Sequence, residues 1–144
     1  MKKILLLSTL LPISVALADS CNNLTINVAN VTGQTCKLIA SNVVHGKYDG
    51  DAAPSEIIHG ESKTFKMTTI GVYGPEIELA YRCGSGSVKF TSQQNYCAFA
   101  PGDVTGTVSE PLDGVKGEYI PDKGTATVTS GTHGTINWTL SPEN

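Results

Sequence analysis

From Leu24 onward the chain alternates between apolar and polar positions. Leu24, Ile26 and Val28 are separated by Thr25 and Asn27, and Ile77, Leu79 and Tyr81 by Glu78 and Ala80. A period of two sends successive side chains to opposite faces of an extended strand, so each stretch has one face suited to a core and one suited to water. CKLIASNVV, KTFKMTT, DVTGTVS, GEYI, TATVTS and TINWTL continue the habit, with PSEII and Val88-Lys89-Phe90 between them. All are rich in the β-branched and aromatic residues that fit a pleated, half-buried surface. Gly- and Ser-containing stretches divide them: VTGQT, HGES, GVYGP and CGSGS. Past residue 18 no segment keeps a helical period. The pattern predicts an all-β chain, a single antiparallel β-sandwich with its first two strands, Leu24–Ala29 and Cys36–Val44, side by side. There is no repeat at a fixed period and no linker long enough to divide the domain.

The chain begins MKKILLLSTLLPISVALADS, two lysines followed by an apolar run and then Ala16-Leu17-Ala18. This has the form of a bacterial secretory signal peptide over residues 1–18, with cleavage after Ala18. Its apolar stretch is shorter than the roughly 20 residues that cross a bilayer. Lipid attachment at Cys21 is disfavoured by the charge of Asp19 two positions before it. Removing 18 of 144 residues leaves 126 for the domain at 19–144, and Lys+Arg falls from 10 to 8 against 13 Asp+Glu, so the net charge moves from −3 to −5. Such a chain of one domain buries about two-thirds of its unfolded surface. Its acidity argues against nucleic acid, which is held mostly by Lys and Arg on phosphate, and against purely electrostatic attachment to anionic lipid. The expected destination is the exterior or the periplasm.

Cys21, Cys36, Cys83 and Cys97 all survive cleavage. In an oxidising compartment they are expected to form two disulfides. Of the three pairings, the short-range one joins Cys21 to Cys36 and Cys83 to Cys97, closing loops of about fifteen residues worth roughly 3 kcal/mol each in the chain-entropy model. A four-cysteine zinc site would need close CxxC pairs, which the sequence lacks.

VVHGKYDGD, residues 43–51, gathers a histidine and two aspartates beside two glycines. A calcium loop alternates oxygen ligands and ends in a bidentate acid, whereas Asp49-Gly50-Asp51 runs into Ala52-Ala53-Pro54. His45, His59 and His133 match no local zinc spacing. The stretch reads as a corner, its glycines permitting turns and its aspartates bonding to nearby amides. No serine lies in a G-x-S-x-G elbow. Glu76 and Glu78 share the polar side of a strand, and Glu61 lies in a turn, so no carboxylate pair suggests glycoside hydrolysis. No enzymatic activity, metal or cofactor is expected.

The aromatics divide into two groups. Phe65, Tyr81, Phe90 and Trp138 fall inside strands and are expected in the core. Tyr48, Tyr73, Tyr96, Phe99 and Tyr119 fall in turn-rich stretches, where a ring can reach lipid, carbohydrate or a protein partner.

Over residues 24–81 the order of elements resembles the aegerolysin-like proteins, small β-sandwiches related in shape to the actinoporin cytolysins. The residues that carry the resemblance are Asn30-Val31-Thr32, Leu38, His45-Gly46-Lys47-Tyr48, Pro54-Ser55-Glu56-Ile57, Gly60-Glu61-Ser62, Phe65, Gly71, Gly74 and Tyr81. The resemblance implies a secreted protein that recognises membrane lipid or a host surface component at the loop end of the sandwich, some members working with a protein partner. This chain departs from it in having one tryptophan, placed in a terminal strand, and four cysteines. The start of the mature chain soon becomes a strand, with no amphipathic helix of the kind actinoporins insert. The alternative is a protein- or glycan-binding module, an adhesin or effector without lipid activity.

Overall fold

The computed structural model describes residues 23–96, 104–112, 115–121 and 134–142. The signal segment, Cys21, Cys97, Phe99, His133 and the strand predicted at TATVTS lie outside them. The described residues form ten strands and no helix. They are β1 (Asn23–Asn30), β2 (Cys36–His45), β3 (Lys47–Tyr48), β4 (Glu56–Ile57), β5 (Ser62–Thr68), β6 (Glu76–Cys83), β7 (Gly86–Gln94), β8 (Val104–Leu112), β9 (Val115–Pro121) and β10 (Gly134–Pro142).

Two five-stranded sheets result, in the orders β3-β5-β1-β10-β9 and β4-β2-β6-β7-β8. The alternation predicts the buried faces of β1, β5, β6, β7 and β10 correctly, whereas β2 leaves its apolar Ile39 and Val44 exposed. Leu24, Ile26 and Val28 of β1, Phe65 and Met67 of β5, and Ile136, Trp138 and Leu140 of β10 are buried from one sheet. Ile77, Leu79 and Tyr81 of β6, with Val88 and Phe90 of β7, meet them from the other. Phe90 and Trp138 make the closest ring contact, 4.3 Å between centroids. Each such side chain contributes roughly 1.5–3 kcal/mol through removal from water, which makes this two-sided layer the main source of cohesion.

Three sequence expectations are corrected. First, the sandwich is not wholly antiparallel: β1 and β10 pair in parallel, from Leu24 opposite Gly134 to Asn30 opposite Leu140. Alternating burial is the same in either direction, so the pattern carries no information about strand sense. Second, β1 and β2 are not neighbours but lie in opposite sheets. The buried side chain of Asn30 explains how the chain leaves β1. Its Nδ2 donates to the carbonyls of Gln34, 2.7 Å, and Ile57, 2.8 Å, while its Oδ1 accepts from the Thr32 amide, 2.9 Å. This one amide group satisfies the backbone of a crossover and thereby diverts the chain from a hairpin.

Third, Cys36 is bonded to Cys83, not to Cys21. The two face each other in the antiparallel β2–β6 ladder, which also pairs Lys37 with Arg82 and Leu38 with Tyr81. Proximity along the chain suggests the short-range pairing, but ladder register places Cys36 directly opposite a cysteine 47 residues away, so Cys83 is not bonded to Cys97 either.

Candidate functional site

The chain crosses between sheets again at the VVHGKYDGD corner. β2 carries a register shift between Val43 and His45. A bulge of this kind inserts a residue and re-aims the side chains beyond it. Val43 stays packed on the core, and His45 lies opposite Glu76, the outward first residue of β6. At Gly46, with φ of 87°, the chain turns into β3 in the opposite sheet. A Cβ at Gly46 would lie 2.5 Å from the Thr68 carbonyl oxygen and 3.2 Å from Pro75 Cα. Glycine is therefore required both for the left-handed backbone and for the close approach.

Thr68 and Pro75 are the two roots of the β5–β6 connection, so the corner and this loop brace one another. The Gln94 amide donates to the Pro75 carbonyl at 2.9 Å, and Gly74 lies against the backbone of Gln94 and Asn95. Above these roots the loop closes on itself through an Ile70–Tyr73 bridge, with Gly71 at a φ of 73°. The turn leaves Ile70 57% exposed, Val72 68% and Tyr73 60%. Tyr96, two residues past Gln94 at the same end of the sandwich, is 45% exposed. Scattered exposed apolar residues are ordinary, but three in four consecutive positions on a braced turn make a local apolar tip.

The five aromatics predicted for binding are thus separated. Tyr73 and Tyr96 are brought to one end. Tyr48, on β3, is half-buried, its ring 6.0 Å from Phe65 and its hydroxyl 2.8 Å from that of Ser41. It forms part of the side wall. Tyr119 lies in β9, and Phe99 is outside the described residues. Ile70 and Val72 were not singled out in the sequence. The available signal was the presence of apolar residues inside a Gly-punctuated connection, where an ordinary turn would be polar.

His45 is the tip's immediate neighbour. Its ring stacks on Tyr73, with centroids 4.7 Å apart and planes 14° from parallel, and its Nε2 is 3.9 Å from a Glu76 carboxylate oxygen. His59 is at the other end of the sandwich, where its Nδ1 accepts from the Gly33 amide at 3.0 Å. Glu61 lies in a turn, bonded to the Ile58 amide and paired with Lys63. On the outer face of β6, Glu78 is held below the usual carboxylate range, first by the Asn42 amide and then by Lys89. An open depression of about 310 Å³ at the end opposite the tip is lined by groups such as Thr32, Gln34 and Ser85, with no titratable side chain among its lining residues.

No family model matches the chain, and no curated protein matches it. Among solved structures it is similar to IP-1A from Alcaligenes faecalis, with 14% identity and a TM-score of 0.56 over 85% of this chain and 91% of the other. It is also similar to the lipid binding protein Nakanori, with 12% identity and a TM-score of 0.59 over 85% of this chain and 71% of that one. At these identities the likeness is one of fold, in keeping with the β-sandwich shape that the aegerolysin-like resemblance implies.

Proposed function

We propose that this chain is a secreted, non-enzymatic protein that recognises membrane lipid through the apolar tip at Ile70, Val72 and Tyr73, with Tyr96 beside it. The observation that carries this reading is the exposure of those side chains on a turn whose roots are fixed by Gly46, Gly74 and the Pro75–Gln94 hydrogen bond. A membrane interface suits such a group, because aliphatic side chains enter the acyl boundary while a tyrosine hydroxyl stays at headgroup level. The fold shared with a lipid binding protein supports it. The signal-like segment and the Cys36–Cys83 disulfide fit an exported protein, in the periplasm or outside the cell.

Partial burial of three or four such side chains is worth on the order of 4 kcal/mol, close to a millimolar dissociation constant. Lasting attachment therefore calls for an added headgroup contact, several copies or a protein partner. Co-sedimentation of the mature protein with vesicles spanning neutral, anionic, sterol- and sphingolipid-containing mixtures tests the reading, with Tyr73→Ala, Tyr96→Ala and Phe99→Ala alongside. Binding to at least one mixture, weakened severalfold by Tyr73→Ala, is expected; no binding to any mixture overturns it.

Glycan binding is the second reading, favoured by the outer face of the β5-β1-β10 sheet. There Thr64 donates to Asn27 at 2.6 Å and Asn27 to Asn137 at 2.7 Å, an ordered row of hydroxyl and amide groups on adjacent strands. Glycan-array hits lost in Asn137→Ala, with silent vesicles, would favour it.

A further inference from the structure

We infer that His45 is a positioning residue for the tip and makes its posture responsive to protons: the imidazole clamps the Tyr73 ring, and the clamp is firmest when the imidazole is charged. The inference rests on the lipid reading above and adds a regulation to the same site.

Three features of the fold converge on this imidazole. The β2 bulge delivers His45 to a place directly opposite Glu76, the first residue of β6. The 3.9 Å between Nε2 and the carboxylate is too long for a hydrogen bond to a neutral ring but within reach of an ion pair once the ring is protonated. On its other side the ring lies nearly parallel to Tyr73 at 4.7 Å. A neutral pair in this arrangement is held by dispersion, whereas a cation facing an aromatic ring gains attraction from its quadrupole.

The surrounding charges leave the sign intact. Glu76 is the ionisable group facing His45 from β6, and across from Glu76 on β7 stands Gln93, which is uncharged. The next acid along β6, Glu78, is engaged with Asn42 and Lys89. Lys47, the nearby cation, follows two residues later on β3, after the chain has turned at Gly46 into the other sheet. Lowering the pH therefore adds two attractions at His45, toward Glu76 and toward the Tyr73 ring, against one flanking lysine. The roots of the loop are fixed by backbone contacts, so the freedom the clamp removes belongs to the Tyr73 side chain and the turn carrying Ile70 and Val72. A tip held in one posture loses less entropy on entering a membrane.

NMR and vesicle binding together test the clamp. In the folded protein without lipid, the Tyr73 ring resonances are expected to shift with pH in step with the His45 imidazole resonances, and to lose that dependence in His45→Phe, which keeps a stacked ring but no titrating group. Co-sedimentation with zwitterionic phosphatidylcholine vesicles, and with the best-binding neutral mixture from the panel, removes simple charge attraction to lipid. Wild-type binding is expected to be about two- to fivefold tighter at about pH 5.5 than at about pH 7.5, with His45→Phe unchanged between them and Glu76→Gln showing a smaller difference. Tyr73 resonances that ignore the His45 titration overturn the inference, as does wild-type vesicle binding that is equal at the two pH values. Absence of binding to every mixture of the panel at either pH defeats the lipid reading instead, and the resonances then decide the clamp alone.

Discussion

The indole Nε1 of Trp138 donates to the hydroxyl of Ser92 at 2.8 Å, and both side chains are buried. Trp138 belongs to β10 and Ser92 to β7, so this bond passes from one sheet to the other through the core. The sole tryptophan is thereby committed to holding the sandwich together, which accounts for its position away from the exposed tip.

Replacing either partner should destabilise the fold. Ser92→Ala leaves the indole without this acceptor inside the core, and Trp138→Phe removes the donor together with part of a well-packed ring. We expect a loss of about 1–3 kcal/mol for Ser92→Ala and somewhat more for Trp138→Phe, read from chemical denaturation midpoints. The double variant should lose less than the sum of the two, because the second change no longer strands a polar group. Full additivity would show that the bond contributes little.

The Cys36–Cys83 bridge closes a 47-residue separation, and the chain-entropy model assigns a loop of that size about 4 kcal/mol. Digestion without reduction should yield a linked peptide containing Cys36 and Cys83, and Cys36→Ser with Cys83→Ser should lower stability by up to that amount. If the other two cysteines are also oxidised within the chain, Cys21 and Cys97 are the remaining partners. A linked peptide holding Cys21 and Cys36 would contradict the β2–β6 register.

Gly46 and Gly50 provide a matched comparison. Both adopt a positive φ, 87° and 93°, but a Cβ at Gly46 meets the Thr68 carbonyl oxygen whereas a Cβ at Gly50 meets nothing within 4 Å. Gly50→Ala should cost only the left-handed backbone penalty of about 1–2 kcal/mol. Gly46→Ala adds the clash and should cost more, about 2–4 kcal/mol, while also disturbing the tip through its roots at Thr68 and Pro75. Thermal melts of the two variants check this, and equal losses would show that the close approach is relieved without cost.

Tyr81 should remain protonated after exposed tyrosines have ionised. Burial, and secondarily the proximity of Tyr48, push its hydroxyl well above the ordinary tyrosine value, and in the folded state it donates to the Pro54 carbonyl at 2.8 Å. The folded chain therefore holds this proton more tightly than the unfolded chain. The resulting stability is fully present below about pH 10, where an unfolded tyrosine titrates, and is lost as pH rises toward the folded value. Ultraviolet titration of the native protein should show one delayed tyrosine that merges with the others in denaturant, and Tyr81→Phe should remove it.

Much of the sandwich was legible because strand formation and burial follow from local alternation. Leu24, Ile26 and Val28, or Ile77, Leu79 and Tyr81, identify their buried face without any partner. Gly46 and Gly50 likewise marked a corner, since their conformational freedom is a property of the residue. The apolar tip was half visible: Tyr73 stood out as an aromatic in a turn, whereas the apolar character of Ile70 and Val72 in a Gly-punctuated connection fits a residue that folds back onto the core as well as one left exposed.

Relations between distant segments are what tertiary structure decided. Whether β1 pairs with β2 or with β10, and whether in parallel, depends on where the chain returns after the crossover that the Asn30 side chain organises. The Cys36–Cys83 bond follows from that register and not from spacing. The meeting of His45, Tyr73 and Glu76 depends on a one-residue bulge in β2, which changes which side chain faces β6 while leaving the sequence pattern almost as before. The sequence determined which residues could form strands, turns and a core; packing two sheets face to face determined which of the remaining side chains were left exposed together at one end.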